Sequence, residues 1–388
     1  MNEPIGKTPS PAGFRGVAKS LALFGTLLLI GLSLYLSAPA RAVLDEPAPK
    51  FPTANAVTAA GKFLDSLDAK QREKAVFEFA STKKSHWSNL PVMMTPRNGV
   101  ALGELTKEQR ALAMDVVASV TSKSGYQKVV DIMDGDQQLA EGKGGGGRGP
   151  RRGPRGGGPG GPGPGGRGPG GRGPGGGGNM FGSDKYDLAI FGTPSETKPW
   201  MVQFGGHHLG INVTVIGQHF VLTPTHTGAQ PALFTRKGQE VRPLGLENDN
   251  AFKLINALDA KQQAQAIIGK EPQEMVLGPG EDGKTIDPEG IKGSALTANQ
   301  QALLLEVIGA WVNIVEPKAA LARMAEIKDK IPETYFAWSG PTDKGSAAYF
   351  RVQGPTLIIE YAPQGGTSHI HTVIRNPKDE YGAGLASQ

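Results

Sequence analysis

The sequence predicts an α+β fold built as a tandem duplication. A unit of helices followed by an antiparallel sheet is present twice, related by a pseudo-two-fold. Three observations carry this: motifs that recur at one fixed offset, further matches at a shorter offset, and a switch of hydrophobic period inside each unit.

The motif Leu67-Asp68-Ala69-Lys70-Gln71 recurs unchanged as Leu258-Asp259-Ala260-Lys261-Gln262. Leu105-Thr106-x-x-Gln109-x-Ala111-Leu112 recurs as Leu296-Thr297-x-x-Gln300-x-Ala302-Leu303, and both offsets are 191. Downstream, Ala189-x-x-Gly192 matches Ala337-x-x-Gly340, and Gly206 matches Gly354, at an offset of 148. The offset shrinks across a low-complexity run at 142–178, so the first unit holds an insert that the second lacks. The first unit is therefore 55–141 plus 179–245 and the second 246–382, each of ordinary domain size.

Within each unit the helices come first. Thr106 and Thr297 stand at N-cap positions. Behind them run helical stripes of Leu112, Val116, Val117 and Val120, and of Leu304, Val307, Ile308, Trp311 and Val312. Further helices are expected near 126–139 and 317–330. Alternation then predicts strands at 186–191, 199–204, 208–216 and 219–224, and at 334–338, 347–353, 356–362 and 369–375. Trp87, Trp200, Trp311 and Trp338 read as core or interface residues.

The insert 142–178 is almost entirely Gly, Pro and Arg and has nothing apolar to bury, so it is expected to be disordered. Its glycines hold no strict period of three, which excludes collagen. Two uses remain open for it: a tolerated surface loop, or an Arg-rich arm for an anionic surface or polymer.

Charge is uneven. Residues 1–42 carry a net +3 and residues 144–178 a net +6, which leaves the rest of the chain at −4 within a total of +5. The folded part is mildly acidic, so the basic pI is no argument for specific nucleic-acid binding. Cysteine is absent, which excludes disulfides, thiol catalysis and thiolate metal sites.

The N-terminus reads as a signal peptide over 1–42. Lys7, Arg15 and Lys19 form its positive region, Ser20 to Ser37 its apolar stretch, and Ala40-Arg41-Ala42 its cleavage site. The alternative is an uncleaved membrane anchor, since about 18 apolar residues nearly span a bilayer. Either way the protein is expected to be exported, periplasmic or extracellular, with 43–54 as a Pro-rich tether.

Histidine is scarce, seven in all, and six lie in the strand regions. His369-Ile370-His371 places two imidazoles on one face of a strand, a spacing that suits two ligands of one ion. Alternation puts His207 on an apolar face with Leu209 and Ile211, and His208 on a polar face with Asn212. Glu360 sits in the apolar strand 356–362 and needs a partner, for which Arg351 and Gln353 are candidates. The sharpest grouping is His208, His369 and His371 as ligands of a divalent transition metal (Zn, Mn or Fe), with Glu360 as base or ligand and Arg351 or Arg375 holding an anion. The competing reading is a hydrogen-bonded polar cluster. No nucleophile elbow, H-E-x-x-H helix, Walker loop or dinucleotide fingerprint occurs.

The blocks Gly206-His207-His208-Leu209, Phe336-Ala337-Trp338-Ser339-Gly340, Tyr349-Phe350-Arg351-Val352-Gln353-Gly354-Pro355 and His369-Ile370-His371-Thr372-Val373-Ile374-Arg375 resemble the family known as domain of unknown function 3500. The resemblance spans roughly 55–382 apart from the insert. It implies a bacterial, often exported protein without an assigned activity. Ile374, Asn376 and Glu380-Tyr381-Gly382 depart from the family pattern, which has an aromatic residue, Asp and Asp-Phe-Gly there.

Two functions are therefore expected to compete. One is an exported metal-dependent enzyme, hydrolase-like, acting on a small molecule or polymer where the polar faces of two sheets meet. The other is an exported binding or structural module whose histidines and Glu360 are conformational fixtures.

Overall fold

The computed structural model describes residues 52–142 and 180–386. The signal segment 1–42, the tether up to residue 51 and the insert from residue 143 to 178 lie outside the described residues. Pro52, Thr53 and Ala54, assigned to the tether by sequence, already form the first turn of a helix.

That helix, α1 (Pro52–Ser66), buries Ala56, Ala60, Phe63 and Leu64 on one face. It leads into α2 (Ala69–Ala75), β1 (Val76–Phe77) and β2 (Val100–Ala101), then α3 (Lys107–Val120) and α4 (Lys123–Ala140). Strands follow: β3 (Asp187–Phe191), β4 (Trp200–Gly206), β5 (Leu209–Ile216), β6 (His219–Val221) and β7 (Thr225–Ala229). A small hairpin, β8 (Phe234–Arg236) and β9 (Gln239–Val241), stands apart. The chain then runs through α5 (Gly245–Asn256), α6 (Ala260–Ala266), β10 (Ile267–Gly269), β11 (Ile291–Lys292), α7 (Ala298–Val312) and α8 (Pro317–Asp329). It ends with β12 (Tyr335–Ser339), β13 (Tyr349–Gly354), β14 (Leu357–Pro363), β15 (Ile370–Arg375) and a short α9 (Ala383–Ala386). The fold is α+β, and no helix among the described residues is long and apolar enough to cross a membrane.

The recurring motifs have a shared physical job. Asp68 and Gln71 form a capping box at the start of α2, and Thr106 and Gln109 form one at the start of α3. The side chains of Gln71 and Gln109 then exchange two amide hydrogen bonds of 3.2 and 2.9 Å. Asp259 with Gln262 and Thr297 with Gln300 cap α6 and α7 in the same way, and their glutamines pair at 2.9 and 2.7 Å. Each pair also reaches the end of the preceding helix, through Ser66 O and Ala257 O. The motif is thus a clasp between helix starts.

All the strands except β8 and β9 join one 13-stranded sheet in the order β1-β3-β4-β5-β7-β15-β14-β13-β12-β10, with β2, β6 and β11 beside β3, β5 and β12. The expected pairing was antiparallel throughout. The sheet is mixed, because β1 lies parallel to β3 and β10 parallel to β12. The helices α3 and α4, and α7 and α8, make the long crossovers that parallel neighbours require. The expectation that two polar sheet faces would meet is also overturned: β7 and β15 pair antiparallel at the centre, so there is one sheet. Sequence alternation missed β7, Thr-His-Thr-Gly-Ala, because the segment carries no alternation of apolar and polar residues.

One face of the sheet carries the helices. Trp311 of α7 donates to Thr372 of β15 at 2.9 Å, and Thr372 contacts Thr227 of β7 at 2.7 Å. The opposite face is covered by the loops 78–99 and 270–290, held by polar side chains. Gln203 donates to Lys84 O and accepts from Asn98, both at 2.8 Å.

Gln300 is 8% exposed and serves three partners, so Gln300→Ala is expected to lower stability by about 1–2 kcal/mol. The half-buried Gln109→Ala should cost less, and urea unfolding of both variants measures the difference.

Candidate metal site

The site is assembled from the β4–β5 turn and the start of β15. Gly206 pairs with Leu209, which makes His207 and His208 the two central residues of a tight turn. His208 takes a φ of 63° there, in the left-handed region that a side chain disfavours by about 1 kcal/mol. The turn is fixed from several sides. His208 N donates to Asn89 O at 3.2 Å, Gly228 N donates to His208 O at 2.7 Å, and Tyr186 donates to His207 O at 2.8 Å. Alternation had put His207 and His208 on opposite faces. A turn does not alternate, and their rings lie 3.6 Å apart, centroid to centroid.

His208 leans toward β15 across Gly228 of β7. A Cβ on Gly228 would come within 3.1 Å of His208 Cβ and 2.9 Å of Ile370 O, so the glycine is what lets the imidazole in. His208 Nε2 then lies 2.8 Å from His369 Nε2, which lies 3.0 Å from His371 Nε2. One nitrogen from each ring falls within 4.8 Å of the others. Three nitrogens around a tetrahedral ion at about 2.0–2.1 Å stand roughly 3.3 Å apart, a few tenths of an ångström more than the two short separations. His208 and His371 are 2% and 4% exposed, while His369 is half-buried and opens the group toward solvent.

All three imidazoles favour the neutral form. Burial, then the neighbouring histidines, holds His208 well below its usual range. Burial and His207 bring His369 down to about 4, and burial with His369 and His207 brings His371 down to about 3. Neutral imidazole is the form that ligates metal, so near neutrality no proton has to be displaced from a second ring nitrogen.

A supporting layer surrounds the group. The Asn89 amide meets His371 Nδ1 at 3.3 Å. With its oxygen turned to the ring it would accept the Nδ1 proton and leave Nε2 a lone pair. His207, packed against His208 with the rings tilted 32°, meets Asp136 of α4 at 2.6 Å, and the other oxygen of Asp136 accepts from Gly182 N at 2.9 Å. His226 of β7 is fully buried with its ring centroid 5.5 Å from that of His371.

The other expected site residues serve the loop 270–290. Glu360 is fully buried and accepts from Val276 N at 3.0 Å, Leu277 N at 2.7 Å and the Tyr349 hydroxyl at 2.8 Å. Arg351 stands opposite Glu360 in register, yet its Nη2 donates to Glu289 at 2.7 Å and to Asp287 O. Arg375 donates to Leu277 O, Gly278 O, Asp282 and Glu380. Glu360, Arg351 and Arg375 therefore do not join the histidine group, and their side chains fasten a loop.

Sequence reasoning did not single out Asn89, Asp136 or His226, and it read His207 as core. A signal for Asp136 was present: it continues the buried stripe Val129, Ile132, Met133 of α4, where a carboxylate requires a partner.

Fold and site together define an α+β protein with a buried three-histidine group that can hold a metal ion. The chain belongs to the family described as Protein of unknown function (DUF3500), whose model matches residues 50–383. No curated protein and no solved structure matches it.

Two outcomes follow. Glycine adopts positive φ without strain, so His208→Gly is expected to be more stable than His208→Ala by about 1 kcal/mol in chemical denaturation. In chelator-treated protein, His369 and His371 stay neutral in the folded chain down to about 4 and about 3, whereas in the unfolded chain they protonate near 6.5. The unfolded state thus binds more protons across that window, and the stability they contribute is complete above 6.5 and lost as pH falls. Thermal melting should decline between pH 7 and 4, with a shallower slope in His371→Leu.

Proposed function

We propose that this protein is an exported metal-dependent enzyme, hydrolase-like, whose ion is held by His208, His369 and His371. The convergence of three neutral Nε2 atoms carries the reading. Three protein ligands leave one position of a tetrahedral ion for water, the arrangement of catalytic rather than structural zinc. A donor set of imidazoles without a carboxylate suits zinc or iron better than manganese. An ion held by these three residues would lower the pKa of a bound water toward neutrality and so would supply a nucleophile.

The second reading is a binding or structural module. It is favoured by one observation: Glu360, Arg351 and Arg375 have their polar atoms engaged by the loop 270–290.

Two further parts belong to the proposal. The chain is a tandem duplication with a pseudo-two-fold, supported by the recurring clasp motifs and by matching strand orders on either side of the β7–β15 pair. Export is supported by the positive, apolar and Ala-x-Ala segments of residues 1–42.

Elemental analysis of untagged protein spanning 43–388, beside the His369→Ala, His371→Ala double variant, tests the metal. About one equivalent in the parent and none in the variant is expected. A metal-free parent that folds equally with and without chelator sinks the enzyme reading and leaves the binding module.

A further inference from the structure

His226 is fully buried, and neither of its ring nitrogens has a hydrogen-bond partner among the described residues. A buried polar atom left unpaired is costly, so an unpaired imidazole in the middle of a sheet demands an explanation. Its neighbours on the same face are paired: Gln203 with Asn212 at 2.8 Å, and His371 with Asn89 at 3.3 Å. His226 is diagonal to His371 across the β7–β15 pair and meets its ring edge-on. On the other side it faces Gly210, whose missing side chain leaves room for Trp87, centroid 6.2 Å from His226.

One positive charge without an ion pair stands nearby. Arg97 acts electrostatically on His226, whereas Arg375, which also does, is paired with Asp282 and Glu380. Arg97 donates only to carbonyl oxygens, those of Ser88, Leu90, Thr95 and Gly206, and its buried Nε has no partner. No carboxylate lies within ion-pair distance of Arg97 among the described residues, so its charge is uncompensated by direct contact.

We propose that His226 hydrogen-bonds the exogenous ligand of the metal ion, and that this ligand is a small anion: hydroxide, or an anionic oxygen of the substrate. The inference rests on the metal reading above. In it, His226 is not a metal ligand. It donates a ring N–H to the anion bound at the ion's free position, and Arg97 supplies a favourable potential.

Cobalt(II) as the ion and azide as the anion test this on the full, untagged chain, using parent, His226→Leu and His226→Gln. The expected result is one equivalent of cobalt in all three. Azide affinity, read from the visible spectrum, should fall about tenfold or more in His226→Leu and be partly restored in His226→Gln, whose amide still donates. Equal azide affinity in parent and both variants overturns the proposal. Loss of cobalt from variants with an unchanged circular dichroism spectrum also overturns it, by making His226 a ligand. A parent that binds no cobalt removes the metal reading itself, an outcome distinct from the other two.

Discussion

The antiparallel pairing of β7 with β15 is the constraint on which the site depends. Its register sets Gly228 opposite His371 and His226 opposite Val373. β7 also pairs with β5, Leu209 against Thr227, so the His207–His208 turn is hung directly beside β15. A slip of one residue would put Ala229 opposite His371 and turn every side chain of β7 to the other face. The register is pinned from the helical side, where Trp311, Thr372 and Thr227 form a buried hydrogen-bonded chain. Indole, hydroxyl and hydroxyl can all be satisfied only in this alignment.

Buried polarity is used differently on the loop-covered face. Glu360, Arg351, Arg375 and Gln203 are each 6% exposed or less, and each makes hydrogen bonds to the loop 78–99 or the loop 270–290. Charge-assisted bonds of this kind are stronger than neutral ones, and they hold segments that have little apolar surface to bury. Tyr381 joins the two loops, since its hydroxyl accepts from Trp87 and donates to Asp282. The loop 78–99 thereby gains a fixed position from which Asn89 reaches both His208 and His371.

Much of this could be read from the chain. Thr106 and Thr297 do cap helices, the stripes behind them are buried apart from the half-buried Leu112, and the alternating segments became strands within a residue or two at most ends. The pairing of His369 with His371 followed from spacing, and His208 was placed with them by its polar surroundings. Three features were not legible. β7, Thr-His-Thr-Gly-Ala, has no hydrophobic period for alternation to reveal. His207 and His208 could not be seen as a turn, because no glycine occupies the positive-φ position. The Glu360 carboxylate is held by backbone from a loop more than eighty residues earlier together with the Tyr349 hydroxyl, rather than by Arg351 or Gln353.

Local chemistry explains the division. Capping boxes, helical stripes and strand alternation act over two to seven residues, so the sequence by itself determined the α+β class, the helices before the main strands and the histidine pair at the start of β15. Whether the strands form one sheet or two, which turn lies beside which strand, and which buried charge meets which loop are set by contacts between residues far apart in the chain. Those depend on register and on closing long loops, for which the sequence carries no local signal. Only the tertiary structure could bring His208 across more than 160 residues to His369 and His371, and only it could leave His226 buried beside them without a partner.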